Sequence, residues 1–153
     1  MTEHANAVPP AIGTVPDITE RLAVAVLESF RAHCQEAGLA LAACVVDRGG
    51  NPVASTRRDG AQLGAISLAA DKAFTAVAFG APTSRWASSS RPGEADWGLA
   101  GSLGGRAVVF AGGVPLYWDG HLIGGLGVSG AASASDEACA IAAAHGAGLR
   151  TEP

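Results

Sequence analysis

The sequence predicts an α+β fold in which a five-stranded antiparallel sheet is flanked by helices. An amphipathic repeat comes first, two groups of apolar strands carry tight-turn signals, and two Ala-rich segments end at helix-stop residues. At 153 residues with 48% hydrophobic content, the chain suits one domain with its own core. Residues 1–16 are rich in Pro, Ala and Gly and predict a flexible tail. We therefore expect a single domain over residues 17–150.

The first half of this domain is predicted to contain a helix and a β-hairpin. From Asp17 to Ala37, apolar residues recur every three to four positions, which indicates an amphipathic helix, and Gly38 follows as its cap. The continuous apolar run 39–46 leads into a turn at 47–51 that contains two glycines, and a second strand segment, 52–57, follows. This pattern is typical of strand, turn and strand.

The second half begins with a helix and a long connection. Residues 65–80 are Ala-rich and contain no proline, and the segment stops at Gly80 with Pro82 just beyond. Residues 84–105 carry several serines, glycines and two tryptophans without periodicity. This segment predicts a long irregular loop, and loops of such length are usually functional or mobile.

Three apolar strands and a last helix complete the expected fold. The predicted strands are Arg106–Ala111, Val114–Trp118 and His121–Val128. Asp119-Gly120 is a strong two-residue hairpin signal. The last helix is expected from Asp136 to Ala147, with Ser133 or Ser135 as its N-cap.

Charge and cysteine usage restrict the partners and the compartment. The net charge of −4 and the scattered basic residues lack the footprint of nucleic-acid binding. Three cysteines without CxxC spacing favour reduced thiols in a cytoplasm over disulfides or structural zinc. The chain begins without a signal-peptide pattern and has no membrane-length apolar run. We expect a cytoplasmic protein with no membrane or nucleic-acid partner.

Lys72 is the first candidate functional residue. In the second predicted helix it shares a face with Leu68, Thr75 and Phe79, so its ammonium would rise from an apolar stripe beside a hydroxyl. It could pair with a ligand carboxylate or act as a base or amine nucleophile, and its loss would then affect function more than stability. The alternative is a solvated lysine, or one paired with Asp71 or Asp47.

Two glycine-rich segments form candidate backbone sites. Gly112-Gly113 can expose N–H groups, and Ser129 leads directly into the last predicted helix, whose N-terminus favours an anion. A carboxylate could dock there, although such turns are commonly structural. No phosphate-loop spacing is present, so nucleotide binding is disfavoured.

Arg57 and Asp59 end the first hairpin and are candidate ligand-binding residues. The Arg57 guanidinium could hold a carboxylate through two parallel hydrogen bonds. The alternative is a structural salt bridge from Arg57 or Arg58 to Asp59 or Asp47.

His33 is the histidine of interest. Helical projection places it on the face formed by Leu22, Val26 and Phe30, where a neutral imidazole could bind haem iron axially. The alternative is a core or interface histidine bonded to a carbonyl. The four histidines form no metal-ligand spacing, so no metal site other than His33 as a haem ligand is predicted.

The segments Ala69–Thr83 and Gly112–Gly130 together resemble the GlcG/HbpS-like family of small haem-binding or haem-associated proteins, over roughly residues 18–148. The resemblance implies a profilin-like sheet with strand order 2-1-5-4-3. Lys72, Thr75 and Thr83 stand on the family's characteristic motif, and residues 57–60 stand on its Arg-x-Asp-Gly segment. It therefore implies ligand-site roles for these residues.

Three functions remain open from the sequence. The first is binding of haem or a related tetrapyrrole by a homo-oligomer built from dimers, with Arg57, Arg85 and Lys72 as cations for the propionates. The second is a cofactor-free enzyme that acts on a small oxygenated carboxylate, with Lys72 and Thr75 as catalytic residues and Thr83 or Thr75 orienting the reacting oxygen. The third is an assembly module whose small-residue helices serve oligomer packing.

Overall fold

The computed structural model describes residues 13–153, so most of the predicted tail lies outside the described residues. The helices are α1 (Glu20–Ala37), α2 (Ala65–Phe79) and α3 (Ser133–Gly146), and the strands are β1 (Ala42–Val46), β2 (Pro52–Arg57), β3 (Gly113–Trp118) and β4 (His121–Ser129). Three short 3₁₀ turns lie between α2 and β3, at Thr83–Trp86, Leu99–Gly101 and Leu103–Gly105. The α+β class and the long irregular connection are thus confirmed.

The sheet of the described chain has four strands, in the order β2-β1-β4-β3, and every neighbouring pair is antiparallel. The prediction of five strands was wrong, because residues 106–111 form no strand. The four remaining strands keep the expected order.

The segment 106–111 crosses α2 instead of joining the sheet edge. The Val108 N–H donates to the Thr75 hydroxyl at 3.0 Å, and this hydroxyl also lies 3.1 Å from the carbonyl oxygen of Arg106. A helix side chain therefore satisfies backbone groups that a neighbouring strand would otherwise have paired. An apolar run alone does not distinguish these two arrangements.

Helices cover both faces of the sheet. On one face, Ala43, Val45 and Val128 pack in the main core with α1 and α3 residues such as Phe30 and Cys139. On the other face, a smaller cluster combines the β1 residues Cys44 and Val46 with α2 residues. Successive side chains of a strand point to opposite faces of the sheet. Because helices cover both faces, all five residues of β1 are apolar and buried.

Glycines in β4 let α2 approach the sheet at backbone distance. A Cβ atom added at Gly125 would lie 2.5 Å from the Ala73 carbonyl oxygen, and one at Gly127 would collide with the Ala69 carbonyl oxygen. Only glycine allows this approach without a shift of the helix. The contact fixes the position of Lys72, which lies between these two alanines on α2.

Local signals explain most of the element ends. Thr19 caps α1 by accepting the Leu22 N–H at 3.3 Å, and Gly38 ends it in the left-handed conformation with φ 65°. Asp119 and Gly120 both have positive φ, as a two-residue hairpin turn requires. The predicted serine caps of α3 were wrong, because Ala132 is its N-cap residue and no side chain caps it.

Candidate functional site

Three of the predicted site residues, Arg57, Gly113 and Ser129, lie at one end of the sheet. β1 and β3 begin at this end, and β2 and β4 finish there, because neighbouring strands are antiparallel. Ala42, the first residue of β1, lies opposite Arg57 on one side and Ser129 on the other. Arg57 and Ser129 therefore stand in one row across three strands.

Lys72, the only lysine of the chain, is fully buried at this end of the sheet. Its ammonium lies 2.9 Å from the Asp136 carboxylate, 2.9 Å from the Val128 carbonyl oxygen and 3.4 Å from the Ser129 hydroxyl. The three N–H donors of the ammonium thus have three protein acceptors. The alternative partners predicted from sequence were wrong, because Asp71 pairs with Arg106 and Asp47 bonds to Asn51.

The glycines of the Gly112-Gly113 pair make room for the buried lysine. A Cβ atom at Gly112 would lie 2.5 Å from the Lys72 Nζ, and one at Gly113 would collide with the Lys72 carbonyl oxygen. The Gly113 N–H donates to the Thr83 hydroxyl at 3.0 Å. This N–H is therefore engaged within the protein, and the pair's observed role is close packing around Lys72.

One further side chain, that of Phe110, lies near the ammonium. The Phe110 ring centroid lies 5.2 Å from the Lys72 Nζ, and this ring is 42% exposed. Asp136 also accepts the Ala131 N–H at 2.9 Å, so its carboxylate holds the turn before α3 as well as the lysine. Phe110 is thus the partly exposed aromatic group nearest to an otherwise sealed ion pair.

Thr75 and Thr83 are both fully buried and both hold backbone. Thr75 secures the segment 106–108, as described above, and its hydroxyl also lies 2.7 Å from the Asp71 carbonyl oxygen. The Thr83 hydroxyl contacts both the N–H and the carbonyl group of Gly113. The two threonines therefore fasten the long connection between α2 and β3 to the rest of the fold.

Arg57 and Asp59 line a separate surface cleft, together with Arg31, Thr56 and Arg58. Its volume is about 260 Å³. Within residues 13–153, none of the three arginines forms an ion pair, so the predicted alternative of an Arg–Asp59 or Arg–Asp47 bridge was wrong. Lys72 is not among the residues that line this cleft. The structure therefore separates two predicted cations that the sequence placed in one pocket.

His33 is half-buried on the last part of α1, beside the fully buried Cys34. No hydrogen bond to its imidazole is present within the described chain. The other histidines of the described chain, His121 and His145, are exposed. His33 is thus the one described histidine that is partly shielded from water.

The three cysteines are free and buried. Cys34 and Cys139 have their sulfur atoms 3.9 Å apart between α1 and α3, nearly twice the length of a disulfide bond. Burial raises the pKa of each thiol, that of Cys44 to about 11. No group of three or more His, Cys, Asp or Glu side chains forms a metal site in the described part of the chain.

Sequence reasoning missed three residues of this region. Asp136 was seen only as a first-turn residue of α3, although a sole lysine on an apolar helix requires a buried carboxylate partner. Arg31 was seen as a polar position of α1, and Phe110 as part of a strand. No local signal links these residues to the site, because each contact joins segments that are distant in sequence.

Comparison with known proteins agrees with this architecture. The family described as Haem degrading protein HbpS-like matches residues 18–145. A corrinoid adenosyltransferase PduO from Citrobacter freundii is 37% identical over 107 residues, which cover 70% of this chain. These residues cover 32% of that relative, so this chain spans about a third of its length.

Two solved structures show the same fold. The Klebsiella pneumoniae protein ORFY superposes with a TM-score of 0.88 at 27% identity, covering 93% of this chain and 98% of that one. A PduOC:Heme complex superposes with a TM-score of 0.84 at 31% identity, covering 90% and 99% respectively. The protein is a small α+β domain, and it belongs to the HbpS-like family.

No helix within residues 13–153 combines the length and the apolar character that crossing a bilayer requires.

Proposed function

We propose that this chain binds haem or a related tetrapyrrole. Membership of the HbpS-like family and likeness to a haem complex over 90% of the chain support the proposal. One structural observation carries it. A half-buried imidazole on α1, that of His33, has no hydrogen-bond partner within residues 13–153. A neutral imidazole nitrogen without such a partner is suited to axial coordination of iron.

The arginine-lined cleft offers cations for the propionates of a tetrapyrrole. Arg31 lies on α1 two residues before His33, an offset that places the two side chains on different sides of the helix, and Arg58 donates to the Arg31 carbonyl oxygen at 3.5 Å. Guanidinium groups match propionate carboxylates in geometry and charge. The cleft of about 260 Å³ is smaller than the roughly 300–1,000 Å³ typical of ligand pockets. It therefore suits the propionate end and not the whole macrocycle.

Of the three cations predicted to meet the propionates, we keep Arg57 and Arg85 and give Lys72 a different role. Arg57 and Arg85 are exposed and can meet propionates, and the Arg85 guanidinium lies 5.6 Å from the Trp86 ring centroid. Lys72 is sealed by its own acceptors, so we assign it to holding the Val128 backbone and the Ser129 side chain in place. Bound haem would supply its iron chemistry, while this chain's residues would orient the ring and neutralise its carboxylates.

A titration with hemin, followed through the Soret absorption band, tests the proposal. We expect a saturable shift at micromolar concentration with one hemin per chain. Metal-free protoporphyrin serves as the second arm, because it keeps the propionates but lacks the iron. Weaker binding of protoporphyrin would support a contribution from the axial ligand. A hemin spectrum unchanged by the protein would exclude the proposal.

A second candidate is an enzyme that acts on a small oxygenated carboxylate through Lys72. The observation in its favour is a buried amine flanked by the Asp136 carboxylate and the Ser129 hydroxyl, groups that can exchange protons with it. A substrate must displace one acceptor, and the 3.4 Å contact to Ser129 is the longest. Catalytic participation of Thr75 stays a prediction, since its hydroxyl has backbone partners.

Borohydride trapping with pyruvate tests this second candidate. If Lys72 is an amine nucleophile, it condenses with the ketone to an imine with loss of water, and borohydride reduces the imine to a stable secondary amine. Because the chain has a single lysine, peptide mass analysis distinguishes Lys72 from the α-amino group. An unmodified Lys72 in folded protein would remove the nucleophile role.

We also propose a homo-oligomer built from dimers, a profilin-like classification and a cytoplasmic location. Exposed large apolar side chains support the homo-oligomer, and they include Leu63, Leu68, Phe79, Trp97, Leu103 and Trp118.

The strand order β2-β1-β4-β3 supports the profilin-like classification. Three free thiols support the cytoplasmic location, because reduced cysteines are usual in the cytoplasm.

A further inference from the structure

The cleft at the end of β2 is lined by more basic than acidic residues. Three arginines, Arg31, Arg57 and Arg58, line it together with one acidic residue, Asp59. No arginine of the cleft lies within ion-pair distance of an acid in the described chain. The lining therefore carries a formal charge of about +2, and a concave surface strengthens such a field.

Two of the three guanidinium groups are held in position by neutral acceptors. Arg31 donates to the Thr56 hydroxyl at 3.2 Å, and Arg58 donates to the Arg31 carbonyl oxygen at 3.5 Å. These contacts use one donor on each guanidinium and neutralise no charge. Each group keeps further N–H donors for a ligand.

The third arginine, Arg57, is the last residue of β2 and lies between the cleft residues Thr56 and Arg58. Thr56 and Arg57 are neighbours at the end of β2, so their side chains point to opposite faces. Thr56 faces α1, since it contacts Arg31, and Arg57 faces α2. The cleft thus lies at the end of an edge strand, where β2 residues meet Arg31 of α1.

We propose that this cleft is a binding site for a small dianion that carries two carboxylates or one phosphate group. The net charge of the lining matches a dianion, and guanidinium forks match both groups through paired hydrogen bonds. The volume of about 260 Å³ admits a short dicarboxylate or inorganic phosphate. The inference stands on the charges of the cleft itself and does not require haem binding.

Titration calorimetry with succinate and with inorganic phosphate, in a phosphate-free buffer of low ionic strength, tests the inference. We expect saturable binding of at least one of the two anions, weakening as salt is added. Arg31→Gln, Arg57→Gln and Arg58→Gln should each weaken binding by about tenfold or more, the loss expected for a charge-assisted contact. Thermal unfolding without ligand checks that each variant is folded.

Arg48→Gln is the matched control. Arg48 is exposed in the turn at the other end of the β1-β2 hairpin, and its replacement removes the same charge from the protein. If all three cleft variants bind as Arg48→Gln does, a general charge effect explains the data and the inference is wrong. Absence of binding to the parent protein at millimolar succinate and phosphate would also overturn it.

A hemin arm identifies the source of the dianion. If hemin displaces bound succinate, the cleft receives haem propionates. If hemin binds without displacing succinate, or does not bind, the cleft serves a free small anion. Both results support the cleft as a dianion site, and a failed hemin titration therefore does not affect this inference.

Discussion

The ammonium of Lys72 and the carboxylate of Asp136 lie 2.9 Å apart, although 64 residues separate them in the sequence. Their side chains are only 1% and 2% exposed. Lys72 belongs to α2 and Asp136 to the first turn of α3, and these helices cover opposite faces of the sheet. The ion pair therefore connects the two helical layers around the end of β4.

Lys72→Met is expected to destabilise the fold, contrary to the expectation from sequence that loss of this residue affects function more than stability. The substitution leaves a buried carboxylate without its cation, at a cost of about 3–5 kcal/mol. Urea denaturation followed by circular dichroism measures the loss.

The double variant Lys72→Met/Asp136→Leu is the control for this prediction. It removes both charges, so it should be more stable than Lys72→Met alone. A single variant within about 0.5 kcal/mol of the parent would mean that Lys72 is not a structural partner of Asp136.

Thr75→Val is expected to loosen the segment 106–108. The buried Val108 N–H loses its acceptor, at a cost of about 1–3 kcal/mol, while the side-chain volume hardly changes. Thr75→Ser keeps the hydroxyl and should retain most of the stability. Hydrogen exchange of the Val108 amide provides the local measurement, and equal protection in the valine and serine variants would contradict the account.

The regular elements could be predicted because their signals are local. The turn at Asp119-Gly120 needs two residues that tolerate positive φ, and Gly38 and Gly80 end helices in the same conformation. The prediction of a fifth strand was wrong because the apolar run at 106–111 has the composition of a strand without pairing as one. Its backbone partner is the Thr75 hydroxyl, which is 33 residues away from Val108 and leaves no sign in the local pattern.

The site was predicted less completely than the fold. Helical periodicity placed Lys72, Leu68 and Phe79 on one stripe, yet Lys72 is fully buried while Leu68 and Phe79 are about 40% exposed. The glycines of β4 draw one side of α2 against the sheet, and this tertiary contact decides which residues are covered. The sequence predicted part of the arginine cleft, namely Arg57 and Asp59. It did not predict Arg31, because this residue comes from α1, which is distant in sequence.

The buried thiols predict a loss of stability at alkaline pH. Burial raises the pKa of Cys44 from 9.0 to about 11, so the folded state holds a proton that the unfolded state releases. This contribution is complete below about pH 9 and disappears as the pH rises towards 11. Its size is on the order of 2 kcal/mol.

Comparison of the parent with Cys44→Ala isolates this effect. The stability difference between the two proteins, measured by urea denaturation, should change in favour of the alanine variant between about pH 8 and about pH 10.5. A pH-independent difference would show that the Cys44 thiol titrates equally in both states.

The exposed apolar side chains predict self-association. Leu63 and Trp97 are 83% and 64% exposed, and other large apolar residues accompany them on the surface. Light scattering coupled to gel filtration should give a multiple of the 15.1 kDa chain mass, with an even number of chains. A mass of one chain at micromolar concentration would contradict the prediction.

The most direct test of haem binding through α1 is a hemin titration of His33→Ala beside the parent protein and His121→Ala. The exposed His121 controls for loss of a surface imidazole. We expect the parent and His121→Ala to give the same saturable Soret shift, and His33→Ala to bind about tenfold or more weakly with an altered spectrum. If all three proteins give the same spectrum and affinity, His33 is not the axial ligand and the proposed site on α1 is wrong.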